Sequence, residues 1–179
     1  MRSKIAVIAL GIVVVASAFG ASAFTTGSVD RASSINVQTD SAGLIGLEAG
    51  ANQQFVNENS GELTIDVSNG SGAGVNQNAT YQLGDQNEPA FNITNNFNSD
   101  QSFQAQYTLN TDDSSVDPNL QFNVYNSTGA TVATVTEENT SATSLGTLTA
   151  GESYGVIIDI DTTSLNSGDD LSGSLNVSA

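Results

Sequence analysis

Apolar and polar residues alternate with a period of two along five separate stretches of the chain. These stretches cover residues 63–67, 103–109, 120–124, 156–160 and 175–177. Because successive side chains of a strand point to opposite faces of its sheet, each stretch predicts a half-buried β-strand. Segments rich in Gly, Asn, Asp, Ser and Pro lie between them and are typical of turns.

With the weaker repeats included, the pattern predicts an all-β protein. The expected strands cover residues 35–39, 44–48, 54–57, 62–68, 80–83, 90–95, 102–109, 120–125, 131–135, 144–149, 153–161 and 171–178. Short strands at this spacing favour a single jelly-roll-like antiparallel β-sandwich over residues 35–179. A pair of smaller β modules is the alternative, but the sequence has no low-complexity linker that would separate them.

The first 23 residues have the parts of a secretory signal peptide. Arg2 and Lys4 precede an apolar run at residues 5–15, and an Ala-x-Ala cleavage site ends at Ala23. We predict a Sec signal helix at residues 1–23 and a secreted, extracellular or cell-surface protein. The alternative is a retained anchor, and we expect contact with a membrane only through such an uncleaved N-terminal segment.

The amino-acid composition excludes several kinds of catalytic site, metal site and binding partner. The sequence has no His and no Cys, which excludes the Ser-His-Asp and Cys-His nucleophile systems, zinc sites built on Cys or His, and disulfides. Its 19 acidic and 3 basic side chains give a net charge of -16, and such a surface repels nucleic acid. Paired carboxylates such as Asp159 and Asp161 are the remaining catalytic material, but their alternation with Ile158 and Ile160 places them on a solvent-facing side. We therefore expect no enzyme activity.

The charge also indicates the environment of the protein. After removal of residues 1–23, only Arg31 stands against the 19 acidic side chains, which gives a net charge of -18. Such self-repulsion opposes folding at ordinary salt, whereas at 1 M salt the Debye length is only about 3 Å. We predict a halophilic protein with an acidic surface, typical of an archaeal source.

Two groups of loop carboxylates are candidate cation ligands, because calcium takes carboxylate and carbonyl oxygens. The first group is Asp112, Asp113 and Asp117, and the second is Asp169 and Asp170. Neither matches an EF-hand loop. Hydrated acidic loops are the alternative, so the expected cofactor is none or a structural cation such as calcium.

Six Asn-x-Ser/Thr sequons are candidate N-glycosylation sites in an exported protein. A chain rich in Asn, Ser and Thr also generates sequons by composition alone. The loop positions are favoured over Asn92, which lies in a predicted strand. The favoured positions are Asn69, Asn78, Asn126 and Asn139.

The extended segment at residues 24–34, just after the predicted cleavage site, is a candidate donor strand. Apolar residues at Phe24, Val29, Ile35 and Val37 would fill pockets along the sheet edge of a neighbouring subunit. A contact of this kind does not close on itself and so builds an open, head-to-tail assembly. The alternative is a first strand that pairs within its own sandwich.

Several short motifs occur in an order found in a known group of exported proteins. They are Phe24-x-x-Gly27-x-Val29-Asp30, the pair Asp30-Arg31, and residues 44–47, 91–96 and 148–152. In this order the chain resembles TasA/camelysin-like β-sandwich proteins and their archaeal filament relatives. It also resembles a haloarchaeal exported family whose domain has no assigned function. The resemblance implies a jelly-roll-like sandwich whose N-terminal strand completes the adjacent subunit.

Taken with the composition, these features predict a structural or cell-surface protein. We expect an extracellular filament or biofilm-matrix subunit that assembles by β-strand donation, with self-association or other surface proteins as partners. The alternative is a monomeric binding or envelope module on the cell surface, which would present a concave patch of Tyr and polar groups.

Overall fold

The computed structural model describes residues 37–50, 54–67, 74–110 and 118–179. These residues contain a short 3₁₀ helix, Asp40–Ala42, and eleven β-strands whose pairings are all antiparallel. The strands are β1 (Ile45–Ala49), β2 (Val56–Asn59), β3 (Glu62–Ile65), β4 (Thr80–Leu83), β5 (Phe91–Asn95), β6 (Gln101–Leu109), β7 (Leu120–Tyr125), β8 (Thr131–Thr136), β9 (Thr143–Leu148), β10 (Ser153–Asp161) and β11 (Gly173–Ser178). The all-β prediction is confirmed.

Eleven of the twelve predicted strands correspond to observed strands, and the first does not. Within the predicted strand at residues 35–39, the described residues 37–39 form no strand. Thr39 instead precedes the 3₁₀ helix as its N-cap residue, and the backbone N–H of Asp40 donates to the carbonyl of Gly61. The carboxylate of Asp40 accepts from the backbone N–H of Leu63 at 2.8 Å. These bonds turn the chain onto the β2–β3 hairpin, which is why the predicted strand does not extend through Thr39.

The largest sheet is built around β10. Strand β7 pairs with one edge of β10, and β8 pairs with the far edge of β7. The opposite edge of β10 is shared by two strands that lie end to end, with β5 beside residues 153–156 and β4 beside residues 158–161. Strand β1 pairs with the far edge of β5. On this central strand the side chains of Tyr154, Val156, Ile157, Ile158 and Ile160 are buried.

A three-stranded sheet, in the order β11-β6-β9, packs its buried side chains against the largest sheet. Phe103 of β6 and Leu145 of β9 belong to the same hydrophobic cluster as Phe91 of β5 and Val124 of β7. The rings of Tyr107 and Phe122, one from each sheet, have centroids 5.2 Å apart. Two antiparallel sheets burying one common core form a β-sandwich-like arrangement.

Residues Val37–Ala179 make up one compact unit. The predicted signal peptide at residues 1–23 and the segment at 24–34 lie outside the described residues. In the part of the chain that the structure describes, no helix is long and apolar enough to cross a membrane.

Candidate functional site

Asn119, the residue directly before β7, has a buried polar side chain whose orientation is fixed by hydrogen bonds. Asn119 is 2% exposed. Its Nδ2 donates to the carbonyl oxygen of Asp161 at 2.7 Å and to Oγ of Ser164 at 2.9 Å. Its backbone carbonyl accepts from the N–H of Asp161 at 2.7 Å, which extends the β7–β10 pairing by one residue. Because the carbonyl of Asp161 can only accept, the amide nitrogen of Asn119 must point towards it.

Glu137, directly after β8, reaches across to the start of β7. Its Oε1 accepts from the backbone N–H of Leu120 at 2.8 Å and also from that of Asn119. Burial raises the pKa of the Glu137 carboxyl, although hydrogen bonds from the backbone N–H groups of Glu137, Leu120 and Asn119 act in the opposite direction. The carboxylate therefore ties the end of β8 to the beginning of β7, its partner in the sheet.

Two oxygen atoms at this position are buried without a hydrogen-bond partner. They are Oδ1 of Asn119 and Oε2 of Glu137. Both are acceptors when the carboxyl is ionised, so neither can satisfy the other. A buried acceptor left without a donor costs about 1–3 kcal/mol, so a donor is expected at each of these two oxygens.

The surroundings of this pair are negatively charged. The hydroxyl of Tyr107 donates to the carbonyl of Leu171 at 2.7 Å. Burial, followed by the charges of Asp170 and Glu137, raises the pKa of Tyr107 to about 12. Glu138 adds a further negative charge that acts on Glu137. The ends of β6, β8 and β10 and the starts of β7 and β11 thus meet in one acidic region.

The carboxylates predicted as cation ligands are only partly described. Asp112, Asp113 and Asp117 lie outside the described residues. Asp169 accepts from the backbone N–H of Asn166 at 2.7 Å, and Asp170 accepts from that of Ser172 at 2.9 Å. These hydrogen bonds hold the loop between β10 and β11. The hydroxyl and then the backbone N–H of Ser172 lower the pKa of Asp170.

No group of three or more acidic side chains that could hold a metal ion occurs in the described ranges. The sequence analysis did not single out Asn119 or Glu137, because both stand in segments that it assigned to turns. A loop Glu or Asn at the edge of an apolar run gives no local sign that the fold will bury it.

The described sequons differ in the state of their asparagine side chains. Asn78 is exposed and has a positive φ of 57°. Oδ1 of Asn126 accepts from the backbone N–H groups of Thr128 and Ala130, and Oδ1 of Asn139 accepts from that of Thr136. Asn69 lies outside the described residues. Of the favoured positions within the described residues, Asn78 is the exposed one, and Asn126 and Asn139 are partly buried.

At the N-terminal side, Val37 is the one candidate donor-strand residue that the structure describes. Its side chain is 94% exposed, and that of Leu44 is 62% exposed. Phe24, Val29 and Ile35 lie outside the described residues. Within the described part of the chain, Val37 makes no contribution to the hydrophobic core.

The chain was compared with known proteins. No protein-family model matches it, and a search of curated proteins finds no significant match. The likeness to TasA/camelysin-like proteins therefore stays a prediction.

Proposed function

We propose that the protein is a secreted structural or cell-surface protein of a halophile, a jelly-roll-like sandwich that assembles into an extracellular filament or matrix. Assembly occurs when residues 24–34 of one copy add as a β-strand to the sheet of the next copy. The observation that carries this proposal is the outer edge of β4.

Strand β4 lies at an incompletely covered part of the largest sheet. Along one edge of β10, β5 is paired in turn with β1 over all five of its residues, Phe91–Asn95. Among the described strands, none pairs with the outer edge of β4. The backbone N–H and C=O groups on such an edge form a template for a further strand.

The side chains of β4 alternate between the core and the outer face, which suits pairing with an amphipathic strand. Tyr81 and Leu83 are opposite Ile160 and Ile158 of β10, and all four belong to the hydrophobic core or pack against it. A strand laid beside β4 would direct every second residue towards the same core layer. Its remaining residues would lie on the outer face beside Gln82.

The chain carries a segment of suitable composition for this place. Val29 lies an even number of residues from Ile35 and Val37, so these three side chains share one face of an extended strand, whereas Phe24 lies on the other face. The 94% exposure of Val37 agrees with an apolar side chain whose partner is another molecule. A donor segment of one copy on an acceptor edge of the next copy gives a heterologous contact, which repeats into an open chain.

The test is deletion of the donor. The chain from residue 24 to 179 and a truncated chain from residue 35 to 179 are prepared in molar salt and compared by electron microscopy and light scattering. We expect filaments from the first chain and monomers from the second. A synthetic peptide of residues 24–36 should bind the truncated chain, whereas a scrambled peptide of the same composition should not.

Two results would contradict the proposal. Filaments that persist unchanged after the deletion would show that residues 24–34 are not the donor. Monodisperse monomers from the chain that begins at residue 24 would instead favour a surface binding or envelope module.

A further inference from the structure

We propose that two copies of the protein pair through strand β11, edge to edge and antiparallel, so that their two three-stranded sheets join into one continuous sheet. The partner is a second copy of this chain, related to the first by a two-fold axis. This contact is separate from the edge of β4, and it does not depend on the strand donation proposed above.

The first argument is the free backbone edge of β11. Within the described residues, β11 is the last strand of its sheet, and only β6 pairs with it. The backbone N–H of Asn110 donates to the carbonyl of Ser172 at 2.8 Å. Since hydrogen-bonded residues alternate along an antiparallel pair, every second residue from Ser172 onward directs its backbone groups at β6. The residues between them direct their N–H and C=O groups away from β6, and they are Gly173, Leu175 and Val177.

The second argument is that no feature of β11 protects this edge against pairing. Natural edge strands are usually blunted by a charge, a proline, a bulge or a very short length. Strand β11 has six residues without a charge or a proline, and its register with β6 is continuous. Each other outer strand of the described sheets has a protecting feature. Strands β1, β2 and β3 carry Glu48, Glu58 and Glu62, the pairings of β8 and β9 are interrupted by register shifts, and β4 has only four residues.

The distribution of charge indicates which partner can cover the edge of β11. Copies of a strongly acidic chain repel one another, so they meet most readily where carboxylates are absent. None of the three strands β6, β9 and β11 contains a charged residue. The largest sheet, in contrast, carries Glu48 on β1 and both Asp159 and Asp161 on β10. A neutral edge on a neutral sheet therefore favours a second copy of this acidic chain.

The backbone also determines the register of the contact. Only an antiparallel pairing centred on Leu175 engages all three outward-pointing residues, with Leu175 opposite Leu175 and Gly173 opposite Val177 of the second copy. Each of these three pairs exchanges two backbone hydrogen bonds. The half-buried side chains of Leu175 and Val177, which pack against the core, gain apolar neighbours from the second copy. On the outer face, Ser174 lies opposite Asn176 of the second copy.

The pairing is expected to be reversible, because one pair of strands buries less surface than a standard interface of roughly 1,600 Å². A two-fold contact of this kind closes on itself and by itself gives a dimer. If residues 24–34 also join copies head to tail, the same contact would link neighbouring filaments side by side. That consequence alone rests on the proposed function.

The test is disulfide trapping in this register, and the chain has no cysteine of its own to interfere. Opposite residues of a non-hydrogen-bonded pair have Cα atoms about 4.5 Å apart, which a disulfide can span. The chain from residue 24 to 179 is prepared with Ser174→Cys and separately with Asn176→Cys, and the two variants are mixed and oxidised in molar salt. The control mixture combines Gln104→Cys with Thr108→Cys, two exposed positions on β6. Denaturing electrophoresis without reductant then measures covalent dimers alone, so strand donation does not affect the result.

The mixture of Ser174→Cys and Asn176→Cys should form the covalent dimer at least about tenfold faster than the control mixture or either variant alone, because paired strands hold the two sulfurs together. Val177→Pro in both variants should abolish the cross-link, since proline removes an outward N–H and leaves the hydrogen bonds to β6 in place. Val177→Ala is the matched control, because it shortens the same side chain but keeps the N–H, and it should retain the cross-link. Far-UV circular dichroism checks that each variant is folded.

Two results would overturn the proposal. The first is an equal rate of cross-linking in the two mixtures, which would show that collision alone joins the copies. The second is a cross-link that persists in folded Val177→Pro variants, because the backbone edge of β11 would then not carry the contact. If Val177→Pro does not fold, the comparison of the two mixtures still decides.

Discussion

The side chain of Asn95 is expected to be one of the strongest polar determinants of stability in this fold. Asn95 is the last residue of β5 and is fully buried, at 0% exposed. Its Nδ2 donates to the carbonyl of Leu148 at 2.7 Å and to that of Ser99 at 3.0 Å, and its Oδ1 accepts from the N–H of Phe97 at 3.0 Å. Since Leu148 is the last residue of β9, this one amide connects the two main sheets and also holds the turn that leads from β5 to β6.

The magnitude of the effect follows from these contacts. Replacement of Asn95 by Ala removes three hydrogen bonds, each contributing about 1 kcal/mol, and leaves the buried carbonyl of Leu148 without its donor. We therefore expect Asn95→Ala to lower the free energy of unfolding by about 3 to 5 kcal/mol. This is a large share of the roughly 5–15 kcal/mol that stabilises an ordinary domain. Asn95→Asp should be at least as harmful, because it loses both donors and buries a charge.

Asn96→Ala is the matched control, since the adjacent residue is exposed and makes one side-chain hydrogen bond, to the carbonyl of Gly43 at 2.8 Å. Its expected cost is about 1 kcal/mol or less. Urea unfolding, followed by far-UV circular dichroism and tyrosine fluorescence, measures both variants. Urea is preferred because guanidinium chloride would itself change the screening of this acidic chain. Equal costs for the two substitutions would refute the argument that burial of the amide decides its contribution.

Three further perturbations have defined outcomes. Gly84 and Gly151 both have a φ of 79°, but an added Cβ would lie 2.3 Å from the backbone nitrogen of Ala90 at Gly84 and would meet nothing within 4 Å at Gly151. In thermal unfolding, Gly151→Ala should cost about 1 kcal/mol and Gly84→Ala about 3 kcal/mol or more, and equal costs would contradict the clash. The backbone N–H groups of Glu88 and Asn87 lower the pKa of Asp85, so its stabilising contribution is present above the unfolded value of 3.8 and is lost as the pH falls through the folded value. Carboxyl NMR should show that lower pKa, and a value at or above 3.8 would be contrary to it. Dilution from molar to about 0.1 M salt should loosen or unfold the domain, and an unchanged circular dichroism spectrum across the series would reject this expectation.

Most of the strands could be predicted from the sequence because each depends on local alternation. Strand β10 is an example, since Val156, Ile158 and Ile160 enter the core while Asp159 between them accepts from Gln82 and Asn123 on the other face. The predicted strand at residues 35–39 was wrong over its described part because Asp40 makes non-local bonds to Gly61 and Leu63. Alternation gives the two faces of a strand but says nothing about which neighbour its backbone will bond.

For the same reason, the pairing of β4 and β5 with one edge of β10 could not be predicted from the sequence. Both strands read as ordinary half-buried segments, and the loop between them reads as a turn. Their end-to-end placement follows from register, with Leu83 opposite Ile158 and Phe91 opposite Val156. The candidate acceptor edge is therefore a property of the sheet and not of the β4 sequence.

The acidic and amide side chains near the start of β7 show a similar division. Loop carboxylates such as Asp169 and Asp170 are easy to find in a sequence, and in the structure they accept hydrogen bonds from their own loop. Glu137 and Asn119 are ordinary turn residues in the sequence, and only the meeting of β7, β8 and β10 buries Asn119 and one carboxylate oxygen of Glu137. Burial and unsatisfied hydrogen bonding are non-local, so this site could be recognised only after folding.

The lack of basic side chains in residues 37–179 explains why the carboxylates described above accept hydrogen bonds from neutral donors. A carboxylate in this part of the chain has no Lys or Arg within the same part to pair with, and the partners found there are neutral donors. Asp159 has the amides of Gln82 and Asn123, Asp40 has the N–H of Leu63, and Asp161 has Thr163. This requirement explains why Asn, Gln and Thr fill the outer faces of the strands. Among the described carboxylates, Glu137 alone keeps a buried oxygen for which no such donor is supplied, and burial raises the pKa of this carboxyl.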